Sequence, residues 1–273
     1  VNSPVIEPGD EDAEADEKES AANGNERAKR EARSDYVVTG VWGTVPSEYE
    51  AENQTITLYG GEGGTVASAP WRTYGAVERI IVAELVALPP NSTQLFASLT
   101  NLVAIVHCHN LDFTNVTTTA YMFLLTPNLS QVAASNWNVS NVTAMEYMFS
   151  RSGVTTLDLS AWNVTNVTRM NDMFSETTAL ETLDVTGWDT ISVTAFDRMF
   201  QNSGITVLDL STWSNDNFFS KPNMFQNARS LKRLVLGEGF HLIAAMNLPM
   251  IQEDGYTGRW IRRGSDQVMD YDN

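Results

Sequence analysis

The sequence predicts a repeat solenoid of parallel β-strands joined by short helices and turns, and three observations predict it. The pair Met-Phe recurs at 122–123, 148–149, 173–174, 199–200 and 224–225, at spacings of 26, 25, 26 and 25. Tryptophan keeps the same step at Trp137, Trp162, Trp188 and Trp213. Five residues before each tryptophan stands Val132, Leu157, Leu183 or Leu208, the last three within Leu157-Asp158-Leu159-Ser160, Leu183-Asp184-Val185-Thr186 and Leu208-Asp209-Leu210-Ser211. Composition alone does not make independent markers share one period, and a period of 25–26 residues lies in the solenoid range.

The chain divides into four parts. Residues 1–35 carry eleven acidic and five basic residues with almost nothing aromatic or β-branched. So little apolar surface cannot offset backbone ordering, and this stretch is expected to be a disordered acidic tail; an isolated helix from Glu14 to Ala32 is the competing expectation. Residues 36–90 form a small β-rich unit preceding the repeats. In it Tyr36 to Val38, Gln54 to Tyr59 and Glu78 to Val82 read as strands, separated by Gly43, Pro46 and a polar turn and ended by Pro89-Pro90. Gly60-Gly61-Glu62-Gly63-Gly64 lacks a following Lys-Ser/Thr, so it reads as a turn rather than a phosphate loop.

Residues 91–240 are the solenoid, expected to hold about five coils. In Leu157-Asp158-Leu159-Ser160 the alternation puts both leucines inside and Asp158 and Ser160 outside. Trp162 fills the corner behind that strand. Asn163-Val164-Thr165-Asn166-Val167-Thr168 suits a turn and a helix cap, and Val167, Met170, Met173 and Phe174 recur at helical spacing, predicting a short helix. One coil buries too few side chains to stand alone, so stacking is obligatory. Val106-His107-Cys108-His109 takes the strand position of an earlier, degenerate coil, and Leu234-Val235-Leu236 starts a last one without tryptophan. Residues 241–273 are the C-terminal cap and tail, with the apolar run Phe240 to Ile251 covering the end of the stack.

Composition excludes several functions. A net charge of −17 opposes binding to nucleic acid, which needs a basic footprint, and adsorption to anionic lipid. A lone cysteine, Cys108, permits no internal disulfide, and no apolar run is long enough to span a membrane. The opening at Val1 shows no apolar leader and the end no wall-sorting motif, so a signal and an anchor are expected outside these residues.

The repeat Leu-Asp-Leu-Ser-x-Trp-Asn-Val-Thr-Asn-Val-Thr-x-Met-x-x-Met-Phe resembles that of the BspA-like leucine-rich-repeat surface proteins of lactobacilli and related Gram-positive bacteria. Thr39-Gly40-Val41-Trp42-Gly43-Thr44 and Ala69-Pro70-Trp71 are similar to the segment preceding such repeats. The resemblance covers about 39–260. It implies a leucine-rich-repeat-like solenoid, secretion, display on the cell wall, and adhesion to a host or matrix protein, mucin or glycan, with no catalytic residues to carry over. Phe196 and Lys221 replace the first methionine in later coils, and Phe218-Phe219 replaces a Val-Thr pair.

The most pointed candidate site is the column Asp158, Asp184 and Asp209, with Ser160, Thr186 and Ser211 beside it. Stacked one coil apart at about 4.8 Å, these carboxylates repel one another. The ridge is therefore read either as a solvent-screened acidic face or as a site for weakly held calcium, a basic group or carbohydrate hydroxyls. No cofactor is expected. Two carboxylates can serve a glycosidase, but only in a cleft that raises one pKa, and no pattern predicts one. His107 and His109 flank Cys108 on the outer face, yet the next coil offers Ala133 and Ser135 there, so no metal shell is completed. Of eight Asn-x-Ser/Thr sequons, at Asn53, Asn91, Asn115, Asn128, Asn138, Asn141, Asn163 and Asn166, most are by-products of the turn motif and none is read as glycosylated, and Arg262-Arg263-Gly264-Ser265-Asp266 is assigned no function. Three functions remain: a binding and adhesion module, a structural stalk, and a carbohydrate-active enzyme using stacked carboxylates.

Overall fold

The computed structural model describes residues 37–214 and 222–249, with the backbone of 260–261 and 268–269. The expectations for the tail at 1–35, for Phe218-Phe219, Lys221 and Arg262 to Asp266, and for most of 241–273 lie outside the described residues.

The strands are β1 (Val37–Trp42), β2 (Val45–Glu50), β3 (Thr55–Leu58), β4 (Gly61–Glu62), β5 (Arg79–Val82), β6 (Val86–Ala87), β7 (Ala104–Val106), β8 (Leu111–Asp112), β9 (Thr156–Asp158), β10 (Thr182–Asp184), β11 (Val207–Leu210), β12 (Arg233–Leu236), β13 (Trp260–Ile261) and β14 (Val268–Met269). β1 and β2 form an antiparallel hairpin whose two-residue turn needs the positive φ of Gly43, +65°. From β3 onward all pairing within the stack is parallel: β3 with β5, β5 with β7, β9 with β10, β11 with β12, and Gln131 with Thr156. A second ladder, β4-β6-β8, runs beside the first. A third joins Asn91, Thr118, Ala144, Arg169 and Ala195.

The chain is thus a parallel β-solenoid of about seven turns. The periodicity markers predicted about five, because they begin only at Val132 and Met122. The parallel register is already set at Thr55 opposite Arg79, where hydrophobic alternation survives and the tryptophan and Met-Phe marks do not. Val106 ends β7; His107 then turns to φ +58° and Cys108–Asn110 forms a 3-10 turn, so the expected strand stops short of the histidines.

The expected helix through Val167, Met170, Met173 and Phe174 is a correction. All four are fully buried, but the described residues contain no α-helix. In each coil this segment lies flat and gives alternate N–H groups to the next coil: Tyr147 to the Asn171 carbonyl at 2.9 Å, Phe149 to Met173 at 3.0 Å, Arg151 to Ser175 at 3.0 Å. Left-handed residues recur four apart, at Tyr147 and Arg151, Asp172 and Glu176, Arg198 and Asn202. A non-glycine residue in that region sacrifices roughly 1–2 kcal/mol and cannot continue a right-handed helix. Spacings of three and four arise here from two αR–αL turns, which bury the same positions a helix would.

Burial follows the repeat. Trp137, Trp162, Trp188 and Trp213 stack with centroids 6.2, 6.3 and 5.6 Å apart. Each indole N–H reaches back to a carbonyl of the preceding coil, for example Trp162 to Ala134 at 2.9 Å and Trp188 to Leu159 at 2.8 Å. A parallel column runs from Trp71 through Phe96, Phe123, Phe149, Phe174 and Phe200 to Phe225, at 5.0–5.8 Å. These two columns make one continuous interior with no break between coils. At the corners the backbones come closer still: a β-carbon at Gly153 would be driven into the Pro127 carbonyl.

Candidate functional site

Parallel register brings Asp158 opposite Asp184. Asp209 sits on β11, which packs against β10, and its register partner on the far side is Val235. In each unit the aspartate is committed first to its own turn. Asp158 Oδ1 accepts from the Ser160 N–H at 3.1 Å and its hydroxyl at 2.7 Å. Asp184 Oδ1 accepts from the Thr186 N–H at 3.0 Å and hydroxyl at 2.7 Å, and Asp209 Oδ1 from the Ser211 N–H at 2.9 Å. The hydroxyl and backbone N–H of Ser160 hold the Asp158 carboxyl below its usual pKa. The six residues are therefore three neighbouring Asx turns. Among the described residues no group of three or more His, Cys, Asp or Glu is placed to hold a metal ion.

The same turn recurs with asparagine. Asn138 accepts from Ser140, and Asn163 from Thr165, with the same pair of bonds from the N–H and the hydroxyl. An amide serves the turn as well as a carboxylate does. The charge on Asp158, Asp184 and Asp209 is thus surplus to local folding, and it faces solvent at Asp158 while Asp184 and Asp209 are half-buried.

His107 and His109 are both exposed, with ring centroids 5.8 Å apart. They share a face as expected, though on the 3-10 turn rather than on a strand. Cys108 is buried between them; its Sγ donates to the Ile105 carbonyl at 2.8 Å, and burial pushes the thiol pKa up.

A second polar constellation was not anticipated. The residues immediately before each Met-Phe pair, Tyr121, Tyr147, Asp172, Arg198 and Asn223, form one left-handed column along the stack. Tyr121 and Tyr147 stack at 4.8 Å. Arg198 grips buried Asp172 with two bonds, at 2.9 and 2.8 Å, and also donates to the Tyr147 hydroxyl at 3.3 Å, two coils away. Burial raises the Tyr147 pKa, and the Asp172 carboxylate raises that of Arg198. Glu146 pairs with Arg169, and Arg151 with Glu176 at 2.8 Å. The available signal was variability: this position changes from coil to coil while the following Met-Phe does not. These groups neutralise one another across coils, so the constellation reads first as a side-chain clamp on the stack.

A family model described as "Mycoplasma protein of unknown function, DUF285" matches residues 91–203 and again 121–237. No curated protein matches the chain, and no solved structure does.

Proposed function

We propose that this chain, which belongs to the DUF285 family, is a non-catalytic binding module displayed on a bacterial surface. Its strand face and the rims of that face would hold a host or matrix protein, mucin or glycan. One observation carries the reading. The strand positions of successive coils are locked in register, and their outward side chains Thr156, Asp158 and Thr182 are exposed, Asp184 and Asp209 half-exposed. Asp158, Asp184 and Asp209 add acceptor charge that the turns do not need, which fits a ligand offering donors or cations, including weakly bound calcium. We read the coil as a leucine-rich-repeat-like variety and the β1–β2 hairpin as its N-terminal cap.

The test is a panel of immobilised mucin, matrix proteins and glycans, probed with the whole chain at micromolar concentration. Saturable binding to at least one, weakened in Asp158→Asn/Asp184→Asn/Asp209→Asn, is the expected result; no saturable binding to any overturns it. Calorimetric titration with calcium checks the cation part. Identical heats from the wild type and the triple variant would remove that part alone.

A stalk is the second reading, favoured by the unbroken aromatic columns, which make the stack a stiff spacer. It gains if the panel binds nothing and deleting whole coils moves an attached domain inward.

A further inference from the structure

The alternation of 25- and 26-residue spacings has a structural origin at the corner before each strand. Longer corners run Thr126 to Leu129, Thr177 to Leu180 and Ala228 to Leu231, each closed by an N–H to the carbonyl three residues back. Between them lie shorter corners, Ser152-Gly153-Val154 and Ser203-Gly204-Ile205, one residue fewer. At Gly204 the short corner between two long ones leaves a recess floored by the glycine.

The two short corners are finished differently. At Gly153 the flanking residues of adjacent coils, Arg151 and Glu176, join in a two-bond ion pair at 2.8 and 2.9 Å. At Gly204 the same two positions carry Asn202 and Asn227, and the recess stays open, with a volume of about 320 Å³. That volume is at the small end for ligand pockets. Besides these amides it is lined by Thr178, Ser230 and Arg229. Arg229 is the one ionisable residue in the lining, and among the described residues no carboxylate pairs with it. In a chain of net charge −17, a recess with one free guanidinium and no carboxylate is a local exception. Ser203 also lines it, 4% exposed, with a hydroxyl that has no partner. Ser152, its counterpart at the other short corner, is left without a partner in the same way, whereas Thr126 and Thr177 at the longer corners donate to the carbonyls of Phe123 and Phe174 at 2.8 and 2.6 Å, so the orphan hydroxyl belongs to the short corner itself.

We propose that the Gly204 recess binds an acidic sugar residue, its carboxylate on Arg229 and its hydroxyls on Asn202 and Asn227. Guanidinium and carboxylate form the strong charge-assisted pair. The amides and hydroxyls, which both donate and accept, match the hydroxyls of a sugar ring. The inference rests on the binding-module reading, for which it supplies a ligand class on the rim beside the strand face.

The experiment titrates the whole chain with D-glucuronate, D-glucose and inorganic phosphate, following backbone and side-chain amides by NMR. Glucuronate is expected to shift Asn202, Gly204 and Asn227 saturably, with glucose and phosphate each about tenfold weaker. Arg229→Gln is expected to weaken glucuronate about tenfold. Asn202→Arg/Asn227→Glu copies the Arg151–Glu176 closure; it should abolish the shifts and leave the melting temperature no lower. Absence of saturable shifts, or undiminished binding in both variants, overturns the proposal. Phosphate binding as tightly as glucuronate overturns the assignment to a sugar. Glucuronate failing while the immobilised panel still binds would sink this site alone, whereas silence from the panel with glucuronate still bound would sink the macromolecular reading.

Discussion

Arg198 and Cys108 show how single side chains are used in this stack, one as a clamp across coils and one as inert filling. The Asp172 carboxylate is 4% exposed and the Arg198 guanidinium 40%. Arg198→Met therefore strands a buried charge, and the half-open position of the arginine tempers the loss. The expected destabilisation is about 1–3 kcal/mol in urea denaturation, against under about 1 kcal/mol for Tyr147→Phe, which removes a single long bond. Cys108 should not react with a thiol reagent such as DTNB at mildly alkaline pH until the chain is unfolded. The sign of its linkage follows from the raised pKa: its contribution is fully present below the ordinary thiol value and is lost as pH rises through the folded one. A thiol that titrates with DTNB in the native state at the unfolded rate would contradict this burial. The Asx residues teach a further lesson. The turn role of Asn163 was legible as a propensity, but that Asp158, read as an outward strand residue, makes the same turn emerged only from matched hydrogen bonds.

At the level of the coil, stacking replaces self-sufficiency. Each indole contributes burial, ring stacking and a bond to the coil before, so Trp162→Ala should destabilise by about 3–5 kcal/mol. Trp162→Phe keeps the stack and loses the bond to the Ala134 carbonyl, at about 1–3 kcal/mol. If both variants lose equally, the indole N–H contributes nothing. Gly153→Ala tests backbone proximity instead, since no rotamer can move a β-carbon off the Pro127 carbonyl; the variant should melt well below the wild type. The corner, strand and tryptophan of each coil could be read from the repeat. The Met-Phe segment could not, because an αR–αL pair of turns and a helix bury the same positions. Which one forms depends on whether the next coil offers carbonyls at the right height, and that information is not local.

For the molecule as a whole, a stack of nearly equivalent coils should tolerate loss of a complete unit. Deleting residues 157–182, one full period, is expected to preserve a cooperative transition with a smaller denaturant m-value; deleting thirteen of those residues should prevent folding, because every later side chain leaves its column. Far-UV circular dichroism of the intact chain should be dominated by a β-type minimum, and helical bands stronger than a helix over Glu14 to Ala32 could supply would contradict the αR–αL coil. The long-range register, rather than any single contact, is what these measurements probe.

Period, the strand positions of the tryptophan-marked coils from Leu157 onward, and the inward or outward direction of Leu157, Asp158 and their equivalents were determined by the sequence alone, because alternation and repetition are properties of spacing. Only the tertiary structure decided that parallel coils begin at Thr55, that Arg198 reaches back two coils to Tyr147, and that Gly204 lies open where Gly153 is bridged. Each of these depends on which residue the winding sets above which, and residues some twenty-five or fifty apart become neighbours only when coils of slightly unequal length are stacked.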